Sequence, residues 1–425
     1  MGVLLTVDQA VPAVLAAAAE ARSWQEPLYR DLHQNPELSH AEHRTAGIVA
    51  DRLRESGYEV TTGVGGTGVV GILRNGTGPT VLLRADMDAL PVQEDTGLPY
   101  ASTVVAPSPA GDGQVPVAHA CGHDMHTTCL LGAADLLAQG QNHWKGTLVA
   151  LFQPAEETVD GARGMVDDGL AQLLPPVDVV LGQHVAPLPA GYVGAQAGPA
   201  FAAADCIRVT VYGRGGHASR PETTVDPVVL AASIVLRLQT IVAREVEPGE
   251  PAVLTVGSLH AGTKANIIAD HAVLELNIRT YSEEVRSAIL AAIQRIVTAE
   301  CAASGSPRDP EFEFYEHAPL TDNDPGVTAK LIDTFTGVFG DRVVVPPRVL
   351  GSEDFSDIAR GVSAPYSYWL FGGTDPETFA KAAAAGRLSS DIPSNHSPHF
   401  APVIQPTLDT GTTALVAAAL SWLAG

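Results

Sequence analysis

The 425-residue sequence predicts an α/β fold in which one unit, a mixed sheet with helices on both faces, is interrupted by a smaller ferredoxin-like α+β unit. Three observations carry this expectation. Short β-rich runs alternate with helical patterns through the first half, a β-α-β-β-α-β order follows between Asp205 and Tyr315, and an apolar helical pattern closes the chain. The length also exceeds one ordinary core, since domains run to roughly 100–200 residues.

Taken in order, Val11–Ala19 is apolar with no Lys or Arg before it, which predicts an alanine-rich first helix better than a secretory leader. Thr80–Leu83, Thr147–Phe152 and Val177–Gln183 read as strands and Thr127–Ala138 as a helix. A Gly/Ala-rich stretch, Gly194–Ala204, marks a junction. Beyond it Asp205–Tyr212 alternates as a strand, Asp226–Glu245 is helical, Ala252–Leu259 and Ala272–Tyr281 are strands, Ser282–Ser304 is helical and Glu311–Tyr315 is a strand. Polar Pro319–Gly326 returns the chain to its first unit, which ends in the helix Thr412–Leu423. In open α/β sheets ligands gather at the carboxyl ends of the strands, so residues just past the first-unit strands carry the functional weight.

Composition narrows the partners. With 45% apolar and 17% charged residues the chain has material for buried cores, and a net charge of −23 repels phosphate backbones and anionic membrane surfaces. No uninterrupted apolar run reaches the roughly 18 residues that span a bilayer. Cys121, Cys129, Cys206 and Cys301 form no C-x-x-C pair, so reduced thiols and a cytosolic location are expected, with neither nucleic acid nor membrane as partner.

The chemistry concentrates in His119-Ala-Cys-Gly-His-Asp-Met-His126, placed before a helical pattern. Such groups are costly to bury unless paired or metal-bound. Cys121 and His123, two apart in a loop, suit Zn²⁺ or a neighbouring divalent ion, although a helix-capping loop with solvent-facing histidines would also fit. The strand Thr147–Phe152 runs into Gln153-Pro-Ala-Glu-Glu157, and adjacent glutamates allow one to bind metal while the other moves protons. His184 follows the next strand, and Asn395-His-Ser-Pro-His-Phe400 brings a further histidine loop.

These segments, with Arg84-Ala-Asp-Met-Asp-Ala-Leu-Pro91, Gly213-Arg-Gly-Gly-His-Ala-Ser-Arg-Pro221, Ala265-Asn-Ile-Ile268 and Gly351-Ser-Glu-Asp-Phe355, resemble in order and number the M20 family of metallopeptidases and amidohydrolases, most closely its N-acyl-amino-acid amidohydrolase and hippurate hydrolase subgroup. The resemblance implies a catalytic α/β domain of residues 1–198 and 317–425 and a lid and dimerisation domain of residues 199–316. It implies two divalent metals per chain, Zn or else Mn, Co or Ni, held by Cys121, His123, Glu157, His184 and His396, with Cys121 bridging. Glu156 would be the general base, Asp88 would orient a ligand histidine, and His217 would donate to the oxyanion, reaching the partner subunit's site in a homodimer. Asn266 and Arg279 would hold the substrate carboxylate. The implied reaction is hydrolysis of the amide of an N-acyl amino acid, with a dipeptidase or carboxypeptidase of the same fold as the alternative. Asp86-Met-Asp88 stands where much of the wider family has a His-x-Asp metal motif.

Overall fold

A computed structural model describes residues 5–111 and 113–425. The strands that position the chemistry are, in chain order, β1 (Glu59–Val64), β2 (Gly68–Asn75), β3 (Thr80–Asp86), β4 (Gly146–Gln153), β5 (Val179–Pro189), β6 (Val193–Gly194), β7 (Ala203–Tyr212), β8 (Ala252–Ala261), β9 (His271–Thr280), β10 (Glu311–Ala318), β11 (Val343–Val344) and β12 (Tyr366–Thr374). The chain divides into two compact units: Met1–Gly198 with Asp322–Pro347 and Asp354–Gly425, and Pro199–Thr321 with Arg348–Glu353. Residues 317–321, read as part of the first unit, and the segment 348–353, far beyond the stretch read as the insert, thus group with the interrupting unit.

The first unit is built on an eight-stranded sheet in the order β1-β2-β4-β3-β5-β12-β6-β11. Its centre, β4-β3-β5-β12, is parallel, while β1 pairs antiparallel with β2 and β2 with β4, so the sheet is mixed. Every residue of β3 is buried, as expected of a strand covered on both faces. The helix α1 (His123–Gln139) packs against the closing helix α4 (Ile404–Leu423), and Leu130, Leu131, Leu136, Leu415 and Leu420 join the main core. Each such side chain contributes roughly 1.5–3 kcal/mol by leaving water.

Several boundaries differ from the sequence expectation, those of α1, β5 and α4 among them. Helix α1 begins at His123 rather than Thr127, because Gly122 adopts a left-handed φ of 86° and turns the chain straight into the helix. His123 therefore belongs to a helical first turn and only Cys121 to the preceding loop. Strand β5 continues to Pro189, so His184 lies inside a strand rather than after one. Helix α4 starts at Ile404, earlier than Thr412, with non-helical backbone at Gln405 and Pro406.

The second unit is a four-stranded sheet in the order β8-β9-β7-β10, antiparallel throughout, with helices α2 (Pro227–Arg244) and α3 (Glu283–Ala303) between its strands. This is the ferredoxin-like arrangement that the sequence predicts. Strict alternation on β9 buries Ala272, Leu274, Leu276 and Ile278, which meet Leu230, Ile234 and Leu238 of α2 and Ile289, Ile293 and Val297 of α3. Asp226 caps α2 by accepting from the Val228 amide at 2.8 Å, with Pro227 at the first helical position. By length and composition α2 is apolar enough to cross a bilayer, and its buried stripe forms the core of this unit. Asp205 at the start of β7 accepts both Nε and Nη2 of Arg286 at 2.6 Å, a bidentate pair that ties α3 to the sheet.

Candidate metal centre

The parallel register of the first unit sets up the site. Asp86 pairs with Gln153, and Arg84 pairs with Gly182, which brings His184 two residues later to the level of Asp86. The ends of β3 and β4 and the middle of β5 therefore deliver Asp86 and Asp88, Glu156 and Glu157, and His184 to one edge. The turn before α1 adds Cys121 and the first residue of α1 adds His123, and the loop after residue 394 adds His396. Cys121, His123 and His184 present atoms all within 4.8 Å of one another, and so do Cys121, Glu157 and His396. Cys121 is common to both triads. A third group joins His123, Glu156 and Glu157.

Hydrogen bonds decide which nitrogens face inward. His184 Nδ1 donates to the Val185 carbonyl at 2.8 Å, leaving Nε2 at 3.4 Å from Cys121 Sγ. Burial and the neighbouring His126 hold His184 well below the ordinary imidazole range, so Nε2 keeps its lone pair. His123 Nδ1 meets Asp88 Oδ1 at 3.2 Å, and Asp88 Oδ2 accepts from the Ser39 hydroxyl at 2.7 Å and from the Glu157 amide at 3.0 Å. Asp88 thereby couples one donor ring to the backbone of another donor residue, which is how outer partners orient metal ligands.

The donors fit divalent ions. His123 Nε2 and Glu157 Oε1 are buried without a hydrogen-bond partner, and they lie 3.8 Å apart, too far for a hydrogen bond and suited to a shared cation. His123 Nε2 is also 3.8 Å from Glu156 Oε2 and from Asp86 Oδ2. Among protein groups alone burial opposes a charge on His123, yet Asp86, Asp88 and Glu157 push its pKa up to about 10, so the surroundings favour positive charge at this point. Burial, Glu157 and Glu156 push the Cys121 thiol up, and a bound cation is what would stabilise its thiolate. His396 Nε2 lies 3.3 Å from Glu157 Oε2. Both His396 (φ 69°) and Ala155 (φ 52°), the residue before Glu156, hold left-handed backbone that non-glycine residues avoid, a concentration of strain typical of functional sites.

His126 shares the cluster but has no free nitrogen. Its Nε2 accepts from the Val185 amide at 2.8 Å, so Nδ1 carries the proton and donates to Asp86 Oδ1 at 2.5 Å. His119 is buried outside these groups, with burial holding it down to about 4. Asp124 pairs with His33 at 2.6 Å, and His399 is exposed at Asp95.

Of the residues expected in the second unit, His217 and Asn266 lie on adjoining segments: His217 pairs with Ile267, and the Ala218 amide donates to the Asn266 carbonyl at 3.1 Å. His217 Nδ1 accepts from the Ser219 amide at 3.1 Å, which places its proton on exposed Nε2. Arg279 lies elsewhere, on the polar face of β9, where Nε donates to Asn277 Oδ1 at 3.0 Å and Nη1 to Ser352 Oγ at 2.5 Å.

Sequence reasoning missed the support beneath the donors. Arg84 is fully buried, donating to Asp86 Oδ2 at 2.6 Å, Gln153 Oε1 at 2.9 Å and Asp354 Oδ1 at 3.3 Å. An Arg inside an otherwise apolar strand was the available signal, because a buried cation demands carboxylates. Ser39 and Glu42 left no comparable trace.

A sheet edge that gathers Cys, His and Glu donors around unpartnered atoms, with a second carboxylate beside them, defines a metal-dependent hydrolase. The chain belongs to Peptidase family M20/M25/M40, whose profile matches residues 82–386. It is 38% identical over 359 residues to thermostable carboxypeptidase 2 of Saccharolobus solfataricus, covering 83% of this chain and 86% of that one. To hippurate hydrolase of Campylobacter jejuni it is 36% identical over 351 residues, 81% and 87% of the two chains. The crystal structure of a dinuclear metal-binding peptidase of family M20 from Bacillus subtilis superposes with a TM-score of 0.76 at 29% identity, covering 95% of this chain and 99% of that one. The enzyme therefore hydrolyses amide bonds with divalent metal.

Proposed function

We propose that this enzyme hydrolyses the amide of N-acyl amino acids, using two divalent ions held by Cys121, His123, Glu157, His184 and His396. The observation that carries the reading is the pair of donor triads sharing Cys121 beside the unpartnered His123 Nε2 and Glu157 Oε1. Imidazole and thiolate donors favour Zn, with Co, Ni and Mn as substitutes. When bound, such ions supply positive charge to a substrate carbonyl and acidify a water toward a pKa of about 7.

The chain's own groups do the rest. Glu156, next to the donor Glu157, takes the proton from the attacking water and returns it to the leaving nitrogen. Asp88 keeps His123 in the tautomer that points Nε2 inward. His217, with its proton on Nε2, donates to the oxyanion, while Arg279 of one chain binds the free carboxylate through a planar fork and Asn266, which adjoins His217, reaches it from the other chain. We place His217 across a homodimer, formed through the second unit. Its edge strand β8 and helix α2 support this with exposed Val253, Leu259 and Leu236, the last 74% exposed. Four unpaired cysteines support a reducing, cytosolic setting.

A carboxypeptidase reading shares every one of these groups and is favoured by the 38% identity to the Saccharolobus carboxypeptidase. The deciding experiment strips the metal, reconstitutes with Zn, Mn, Co or Ni, and assays N-acetyl and N-benzoyl amino acids against peptides with a free amino terminus. Turnover of the acylated amino acids is expected. Hydrolysis confined to peptides would replace this reading with the peptidase one.

A further inference from the structure

Glu42 is 0% exposed and belongs to none of the donor groups among the described residues. Its Oε1 accepts the Ala155 amide and the His40 amide, each at 2.9 Å, and its Oε2 accepts the Thr67 hydroxyl at 2.5 Å. Ala155 is the left-handed residue directly before Glu156. The turn it opens crosses the left-handed region again at Val159 (φ 58°) and is closed by Val159 donating to the Glu156 carbonyl at 2.8 Å and Gly161 to the Ala155 carbonyl at 3.1 Å. A side chain on Gly161 would sit 1.7 Å from the Pro154 carbonyl, so the turn has little room to re-form another way. Alanine does not choose φ of this sign unaided. The segment that carries Glu42 is itself docked, with the Ala89 amide donating to the Glu37 carbonyl at 2.8 Å and the Ser39 hydroxyl to Asp88.

We propose that Glu42 is a positioning residue, which holds the left-handed turn at Ala155 through the Ala155 amide and so aims the Glu156 carboxylate. The proposal rests on the reading of Glu156 as general base. Glu42 touches neither substrate nor metal in this role. Keeping a carboxyl buried with no ion pair among the described residues is costly, and burial raises the Glu42 pKa despite its three donors, so the contact is maintained against a free-energy penalty.

The test compares full-length, metal-loaded variants on the best N-acyl amino acid of the panel. Glu42→Ala should keep its metal and its KM while kcat falls on the order of ten- to a hundred-fold, part of the roughly 10²–10⁴ that a positioned base supplies. Glu42→Gln, whose amide oxygen still accepts both backbone N–H groups, should restore most of that loss. Ala155→Gly added to Glu42→Ala should recover roughly five-fold, because glycine takes positive φ without the penalty alanine carries. In a Glu156→Gln background Glu42→Ala should cost little more. Should Glu42→Ala not fold, Glu42→Asp, which withdraws the carboxylate from Ala155, is read in the same way. Lost metal, a Gln variant as poor as the Ala variant, no recovery with glycine, or a full additional loss in the Glu156→Gln background would each overturn the inference. Wild-type turnover in Glu156→Gln itself would instead overturn the assignment of the base, which the same series reports separately.

Discussion

Gly122 sits between Cys121 and His123 at φ 86°, and a Cβ there would lie 2.4 Å from Val185 Cγ1. Gly122→Ala therefore meets two separable penalties. A non-glycine residue in left-handed backbone costs about 1–2 kcal/mol. Overpacking against a buried valine costs about 1–3 kcal/mol more. The second penalty reaches the metal centre directly, since the Val185 carbonyl accepts from His184 Nδ1 and the Val185 amide donates to His126. The variant should lose roughly 2–5 kcal/mol, shared between global stability and metal affinity, where each 1.4 kcal/mol in affinity is a factor of ten. Val185→Ala removes the colliding methyl. In that background Gly122→Ala should cost only the backbone part, so a double-mutant cycle should show about 1–3 kcal/mol of coupling. The assay pairs denaturant unfolding of the metal-free chain with chelator competition for the metal. Additive effects of the two substitutions, or unaltered metal affinity in Gly122→Ala, would refute the view that the Cys-Gly-His turn is held against Val185.

Three further outcomes are expected. Glu156→Gln should retain metal and lose about 10²-fold or more in turnover, whereas Glu157→Gln should lose metal first; reversed phenotypes in metal analysis and kinetics would exchange the two roles. Mixing inactive His217→Ala and Glu156→Gln chains under subunit exchange should restore partial activity if His217 acts across the dimer, because one site of the mixed dimer then holds both intact groups, and verified heterodimers without activity would return His217 to its own subunit's site or take it out of catalysis. His33 is buried, which opposes its charge, but Asp124 and Glu94 raise its pKa from 6.5 to about 10. Its protonated form therefore stabilises the fold fully below pH 6.5, and this contribution fades as pH rises toward about 10. The unfolding free-energy gap between wild type and His33→Gln should shrink over that window, and a gap constant with pH would show that the His33 charge contributes nothing.

The fold was legible where periodicity was strong. On β9 the apolar residues Leu274, Leu276 and Ile278 alternate with Glu275, Asn277 and Arg279, and the structure buries the first set while exposing the second in part. Boundaries were less legible where a single backbone torsion decides them, as at Gly122, where a side chain would collide with a valine 63 positions later in the chain. The donors themselves could be read because Cys, His and paired Glu are rare together and costly without a task. What supports them could not. Glu42 and Ser39 act through Ala155 and Asp88 at long sequence separations, and a carboxylate or a hydroxyl near a helix start looks like an ordinary cap until its partners are seen. Asp86 illustrates the same limit: burial opposes its charge, yet His123, Arg84 and His126 hold it well below the usual carboxylate range, and two of those three neighbours lie on another element.

The order of the strands also dictates an order of assembly. Cys121, His123, Glu157 and His184 all precede the interrupting unit, but His396 and the strand β12, which hydrogen-bonds along β5 from Val180 to Pro189, are made last. A chain emerging from the ribosome thus carries four of its five proposed donors while the central strand that bears His184 still lacks one neighbour. Until the final stretch arrives, that strand offers an open parallel edge, the kind of surface that pairs with other chains. The core of the interrupting unit, from Ile207 to Cys301, is made wholly within this interval. Translation of that unit therefore falls in the interval when β5 has an unpaired edge and when a captured metal ion would meet four of the five proposed donors.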